Sequence, residues 1–292
     1  MVPVEIEKKI IYVAGLPRSG STLLCQLFAH HPRVYSPGHS SPLAHTVDQI
    51  RRGLSNDSFL LSQLDNEFDL VYERIRNGLA GFINGWFAET DKEWVVDKNR
   101  AWLNLVETLK SIDDEFRMVV CLRELTQLYG SLEAQHQRTI LLDNEDGVAG
   151  YSRYGRACQY FNGNGLVARC LTGVRAALEE IPDELKHHVL YVKYERLVSK
   201  PVDVMMEICE WMGLPTFAFN PKNLTVIPAE SDSHYRFKYP HRTHSEIRLP
   251  AAHSVPARIR KDLVSQYDWY YKTFYPDSRP KKGKKSDAME KS

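Results

Sequence analysis

Cysteine is sparse in this chain and never paired by spacing: Cys25, Cys121, Cys158, Cys170 and Cys209 make five, with no C-x-x-C among them. An odd, scattered set argues against a disulfide framework and fits buried thiols in a reduced, cytoplasmic protein. The sequons at Asn56 and Asn223 carry no meaning in such a compartment. No apolar run reaches the ~18 residues of a membrane span. The opening Met1-Val-Pro-Val-Glu-Ile-Glu-Lys-Lys9 also lacks the layout of a signal peptide. Net charge is missing too, since 38 basic residues against 37 acidic ones leave a formal +1. No global field draws the chain to nucleic acid or to a membrane, so neither is expected as a partner. A globular composition over 292 residues allows one large α/β domain or two small ones.

The most informative stretch is Gly15-Leu-Pro-Arg-Ser-Gly20-Ser-Thr22. An apolar run, Ile10-Ile-Tyr-Val-Ala14, precedes it, and Leu23-Leu-Cys-Gln-Leu-Phe28 follows. Strand, glycine-bearing turn and helix start form a setting in which backbone N–H groups hold an anion. The spacing matches the phosphate loop G-x-x-x-x-G-K-[ST], but Ser21 stands where the lysine belongs. That lysine neutralises the outer phosphates of a nucleoside triphosphate, so its absence argues against ATP or GTP hydrolysis. Arg18 brings a different cation. A second absence agrees: the apolar run Arg117–Leu122 ends on Arg123, not on an aspartate that would hold Mg²⁺, and no metal is expected.

Pro17-Arg-Ser-Gly-Ser-Thr22 resembles the 5′-phosphosulfate loop of sulfotransferases that use 3′-phosphoadenosine 5′-phosphosulfate (PAPS), and within them the tyrosylprotein-sulfotransferase branch. Two further segments match in order. Val119-Val-Cys-Leu-Arg123 with Ser131 resembles the element that grips the 3′-phosphate, and Val192-Lys-Tyr-Glu-Arg-Leu-Val198 with Lys200-Pro201 resembles a segment near the nucleotide. The resemblance spans roughly residues 10 to 215 and implies a P-loop-type, doubly wound parallel sheet flanked by helices.

Short β-branched runs at Ile10–Ala14, Trp94–Val96, Arg117–Leu122 and Val189–Val192 read independently as buried parallel strands. Helical patterns cover Ser21–His30, Asp65–Ala88, Ala101–Ser111, Thr126–Arg138, Tyr154–Glu180 and Val202–Met212, with a closing helix over Pro256–Phe274. Pro32 is expected to stop the first, and Gly213 with Pro215 the sixth. Residues 139–153 read as a loop, and 220–256, rich in Pro, His, Ser and Arg, as a lid or strap. One domain is thus expected over 1–278, followed by a basic, solvated, disordered tail over 279–292.

The resemblance assigns Arg18, Ser19, Gly20, Ser21 and Thr22 to the 5′-phosphosulfate, Arg123 and Ser131 to the 3′-phosphate, and Tyr194 to the nucleotide. Ser19, Ser21 and Thr22 are equally good helix caps, and Tyr194 equally an aromatic core residue. Lys98 resembles the family lysine at the bridging oxygen between phosphate and sulfate. Asn99 and Arg100 beyond it could reach the acceptor. Counting from His31-Pro32 places His39 where the tyrosylprotein branch has its basic glutamate. A neutral histidine can take a hydroxyl proton near pH 7. His234, His241 and His244 in the strap are alternatives, as is a structural role for His39. The implied function is sulfuryl transfer from PAPS to a hydroxyl or amine of a small molecule, saccharide or peptide. A lysine-less phosphotransferase and a non-catalytic nucleotide-binding module are the competing readings.

Overall fold

Five short strands, apolar on both faces, build one parallel sheet. They are β1 (Lys9–Gly15), β2 (Val34–Tyr35), β3 (Trp94–Lys98), β4 (Arg117–Leu122) and β5 (Val189–Lys193), in the order β2-β3-β1-β4-β5. The computed structural model describes residues 3–138, 140–141, 147–226, 230–231, 240–241, 243–250 and 252–278. Alternation along β1 feeds two cores. Tyr12 and Ala14 pack with Met118, Val120 and Leu122 on one face, while Ile11 and Val13 pack with Val119 and Cys121 on the other. Each such side chain is fully buried or nearly so, worth ~1.5–3 kcal/mol apiece.

The second of these faces is covered by α1 (Ser21–Phe28) and α10 (Pro201–Met212). The first takes α2 (Leu43–Ser55), α4 (Phe68–Trp86), α5 (Val106–Ile112), α6 (Leu125–Arg138), α7 (Arg153–Phe161), α8 (Leu166–Glu179), α11 (Ala257–Gln266) and α12 (Asp268–Phe274). α3 (Ser58–Asn66) buries no residue, and α9 (Tyr194–Ser199) leads from β5 into α10. From β1 the chain passes to β2 and β3 on one side and then to β4 and β5 on the other. The carboxyl ends of β1, β3 and β4 therefore open at a topological switch point, where α/β sheets bind ligands.

All four expected strands are present; the two-residue β2 is an addition. Three of the expected helices are broken. Residues 101–111 divide at Leu105 into a 3-10 turn over Arg100–Asn104 and α5. Residues 154–180 divide into α7 and α8 because Gly163 takes φ +53 and a Cβ on Gly165 would lie 2.0 Å from the Gln159 carbonyl oxygen. The closing helix divides at Tyr267, whose hydroxyl turns in to the Phe161 carbonyl. Gly213, at φ +67, stops α10 as expected, with Leu214 N–H returning 2.8 Å to the Cys209 carbonyl.

The strap crosses α1. Leu224 N–H donates 2.6 Å to the Ser245 carbonyl and Ile247 N–H 2.9 Å to the Pro221 carbonyl, so its two legs run together. Farther out, β6 (Glu230–Ser231) and β7 (Pro240–His241) pair antiparallel. The tail over 279–292 and residues 139 and 142–146 of the expected loop lie outside the described residues.

Candidate active site

The loop after β1 owes its shape to two glycines. Gly15 leaves the sheet at φ +123, and a Cβ there would lie 2.1 Å from the Cys121 carbonyl oxygen of β4. Leu16 N–H bonds that same oxygen at 2.9 Å. Gly20, at φ +88, caps α1 with no side-chain hydrogen bond, and a Cβ on it would lie 2.6 Å from the Tyr194 ring. Between them Arg18 takes φ +59, a left-handed conformation that costs a non-glycine residue ~1–3 kcal/mol. The Ser19 hydroxyl turns inward to the Leu16 carbonyl at 2.6 Å, bracing the turn. The first turn of α1 holds no acidic residue, so nothing within the helix itself neutralises its N–H groups and positive dipole end.

A second cationic group forms where β4 ends. Arg123, 5 % exposed, donates from Nη1 to the Arg18 carbonyl at 2.8 Å and stacks 4.6 Å above the Tyr194 ring. Its Nε is buried with no hydrogen-bond partner among the described residues. Burial pushes the guanidinium pKa below its ordinary value. Arg18 reaches the same place: its Nε donates 3.3 Å to the Ser131 hydroxyl on α6. Arg18 therefore leans toward Arg123 and Ser131, away from the loop that carries it. Tyr194 is the platform on which Gly20 and Arg123 meet.

At the end of β3, Lys98 is buried and donates from Nζ to Thr22 Oγ1 at 3.1 Å and to the Gly38 carbonyl at 3.2 Å. It thus stands between the helix start and the loop bearing His39. His39 is exposed, its Nδ1 3.1 Å from the Pro37 carbonyl. That loop is tied to β3 from several points. Ser41 N–H donates to the Lys98 carbonyl at 3.0 Å, and Asn99 Nδ2 donates to the Ser41 carbonyl at 2.6 Å. Asp97, 1 % exposed, accepts from Trp102 Nε1 at 2.6 Å, and burial raises its pKa to about 6 against the hydrogen bonding from Ser41 and Trp102.

The ten residues singled out in the sequence follow or end five strands, apart from Ser131 on α6, and the fold gathers nine of them around the loop, with His39 after β2 one residue from Gly38. Other residues carried no local signal. Gln26, 2 % exposed in α1, donates 2.9 Å to the Thr225 carbonyl and 2.8 Å to the His244 carbonyl, pinning both legs of the strap. Residues 243–250 then wall a cavity of about 350 Å³ whose floor includes Arg18, Gly20, Thr22, Arg123 and Tyr194. His244 lines it; His234 lies outside the described residues, and His241 is described only as backbone of β7. The β4–α6 turn is held from α12, where the Tyr270 hydroxyl donates 2.9 Å to the Arg123 carbonyl and the Tyr271 hydroxyl 2.7 Å to Glu124. A tyrosine-rich closing helix was the available signal, but packing alone explained it.

Fold and site together define a parallel α/β protein with a lysine-less phosphate loop and a second cationic pocket beside it. The chain belongs to the sulfotransferase family, whose model matches residues 11–218, and sulfuryl transfer is the activity of that family. The match stops at the family and does not single out the tyrosylprotein branch. Among solved structures, the sulfotransferase domain from the curacin biosynthetic pathway is 16% identical over 89% of this chain and 98% of its own, with a TM-score of 0.49. A sulfotransferase from Alicyclobacillus acidocaldarius is 13% identical over 89% and 92%, also at 0.49. Retinol dehydratase in complex with androsterone and the inactive cofactor PAP is 16% identical over 98% and 84%, at 0.45. Among curated proteins, none matches this chain. No helix among the described residues is long and apolar enough to cross a membrane.

Proposed function

We propose that this chain moves a sulfuryl group from PAPS to an acceptor hydroxyl or amine. One observation carries the choice of donor: the buried Nε of Arg123, without a partner among the described residues, gathered with Arg18 and Ser131 at the far side of the loop from α1. A buried N–H without an acceptor costs ~1–3 kcal/mol, more when charged, and a second phosphate on the same nucleotide is the acceptor it lacks. A cavity of about 350 Å³ over both groups is within the size range of small-ligand sites.

In this reading the α1 N–H groups, Ser21 and Thr22 hold the 5′-phosphosulfate, and Arg123, Arg18 and Ser131 hold the 3′-phosphate. Tyr194 keeps Arg123 flat and oriented. The donor supplies an activated sulfuryl group whose S–O bond to phosphate breaks as the acceptor oxygen or nitrogen bonds to sulfur. Lys98 reaches the helix start through Thr22 Oγ1, and its ammonium stabilises the negative charge left on the phosphate oxygen. His39 accepts the proton that the acceptor loses. Sulfuryl transfer develops less negative charge than phosphoryl transfer, so positioning and this one cation replace a metal.

The test is transfer of labelled sulfate from PAPS to a panel of hydroxyl and amine acceptors in EDTA. Lys98→Ala is expected to lower turnover about 10²–10³-fold with little change in affinity for 3′-phosphoadenosine 5′-phosphate. His39→Ala should do the same. ATP-dependent, Mg²⁺-requiring phosphorylation would instead establish the phosphotransferase, and tight nucleotide binding with no turnover on any acceptor the non-catalytic module.

A further inference from the structure

Beyond the cavity the strap is clamped to α6. His253 N–H donates 2.9 Å to Gln127 Oε1, and Gln127 Nε2 returns 3.3 Å to the His253 carbonyl. One turn on, Gly130 leaves room for the ring: a Cβ there would lie 2.2 Å from His253 Cβ and 3.3 Å from Cδ2. Glycine weakens a helix interior, so its place here follows from that close approach. The next residue is Ser131. Gln127, Gly130 and Ser131 thus share one face of α6, and that face holds the half-buried imidazole where Arg123 and Arg18 act on it. From α7, Arg153 donates 2.5 Å to the neighbouring Ser254 carbonyl, with its Nε 4.0 Å from Glu133.

We infer that His253 is a further binding group of the 3′-phosphate pocket and takes up a proton from solvent as the phosphate enters. The inference rests on the proposed donor reading. In the free protein burial, and then repulsion from Arg123 and Arg18, hold His253 below the ordinary histidine range. A phosphate dianion between the arginines cancels that repulsion and accepts from the imidazolium N–H. The group is then neutral when free and charged when bound, so affinity for a 3′-phosphate rises as pH falls from 8 toward 6. The gain is about tenfold for each unit by which the phosphate raises the histidine pKa.

Calorimetry in two buffers of different ionisation enthalpy counts the protons. The ligands are 3′-phosphoadenosine 5′-phosphate and adenosine 5′-phosphate, and the proteins are the full chain and its His253→Gln and Gly130→Ala variants. With the bisphosphate, the natural protein should take up as much as about one proton more than His253→Gln, and gain more affinity between pH 8 and 6. Gly130→Ala, which displaces the ring without removing it, should behave like His253→Gln. With adenosine 5′-phosphate all three should agree. Equal proton uptake in the natural protein and both variants, with the bisphosphate still preferred, would overturn the role of His253 alone. No preference for the bisphosphate in the natural protein would overturn the donor reading, and this inference with it.

Discussion

Replacing Arg123 with methionine should separate ligand binding from folding stability. The substitution deletes the charged bond to the Arg18 carbonyl, ~1.5–3 kcal/mol, and the stacking on Tyr194, ~1 kcal/mol. It also deletes a buried N–H with no partner among the described residues, which returns ~1–3 kcal/mol, and leaves an apolar stem to fill the space. These contributions nearly cancel, so the free protein should lose less than about 3 kcal/mol. Binding has no such compensation. A 3′-phosphate deprived of a buried guanidinium loses about 3 kcal/mol or more, over 100-fold in Kd. Adenosine 5′-phosphate, which never reaches Arg123, should bind as before. Calorimetric Kd values for the two nucleotides, with urea melts of the free protein, measure both halves. If the bisphosphate and adenosine 5′-phosphate weakened equally, or if the free protein lost more than about 5 kcal/mol, Arg123 would be holding the turn and not a ligand.

Two further substitutions probe the frame. Gly15→Ala places a methyl 2.1 Å from the Cys121 carbonyl at φ +123, so urea melts should show ~3–5 kcal/mol lost; a loss under 1 kcal/mol would mean the loop does not need its close approach to β4. Asp97 has its carboxyl raised from 3.8 to about 6 by burial, so its contribution is fully present below pH 3.8 and lost as pH rises through 6. Asp97→Asn keeps an acceptor for Trp102 and should be the more stable protein at pH 8, by up to about 3 kcal/mol, with the difference closing toward pH 4. A stability difference that ignores pH would show the carboxyl is not the titrating group.

The strands were readable because a parallel sheet buries both faces, which leaves short β-branched runs such as Ile10–Ala14 and Arg117–Leu122 between polar residues. β2 is too short to leave such a run. α3 escaped for the opposite reason: Phe59 and Leu61 are exposed, so no buried face imposes a period. The break between α7 and α8 was marked by Gly163 and Gly165, but a glycine inside a helical pattern reads equally as a tolerated one. At the site, the loop was legible locally because its spacing is its chemistry. Arg123, Ser131, Lys98 and His39 became candidates only through resemblance, since each depends on partners tens of residues away. Gln26 and His253 were invisible. Their neighbours, Thr225 with His244 and Gln127 with Gly130, meet them only after the strap has crossed α1 and docked on α6.

A crystal structure of the protein with 3′-phosphoadenosine 5′-phosphate bears most directly on the claim that one nucleotide bridges the two cationic groups. The account requires the 5′-phosphate at the N-terminus of α1 and a 3′-phosphate oxygen within about 3 Å of Arg123 Nε, the nitrogen that has no partner among the described residues. A complex with the loop empty, or with Arg123 turned from the phosphate and Nε still unbonded, would contradict it.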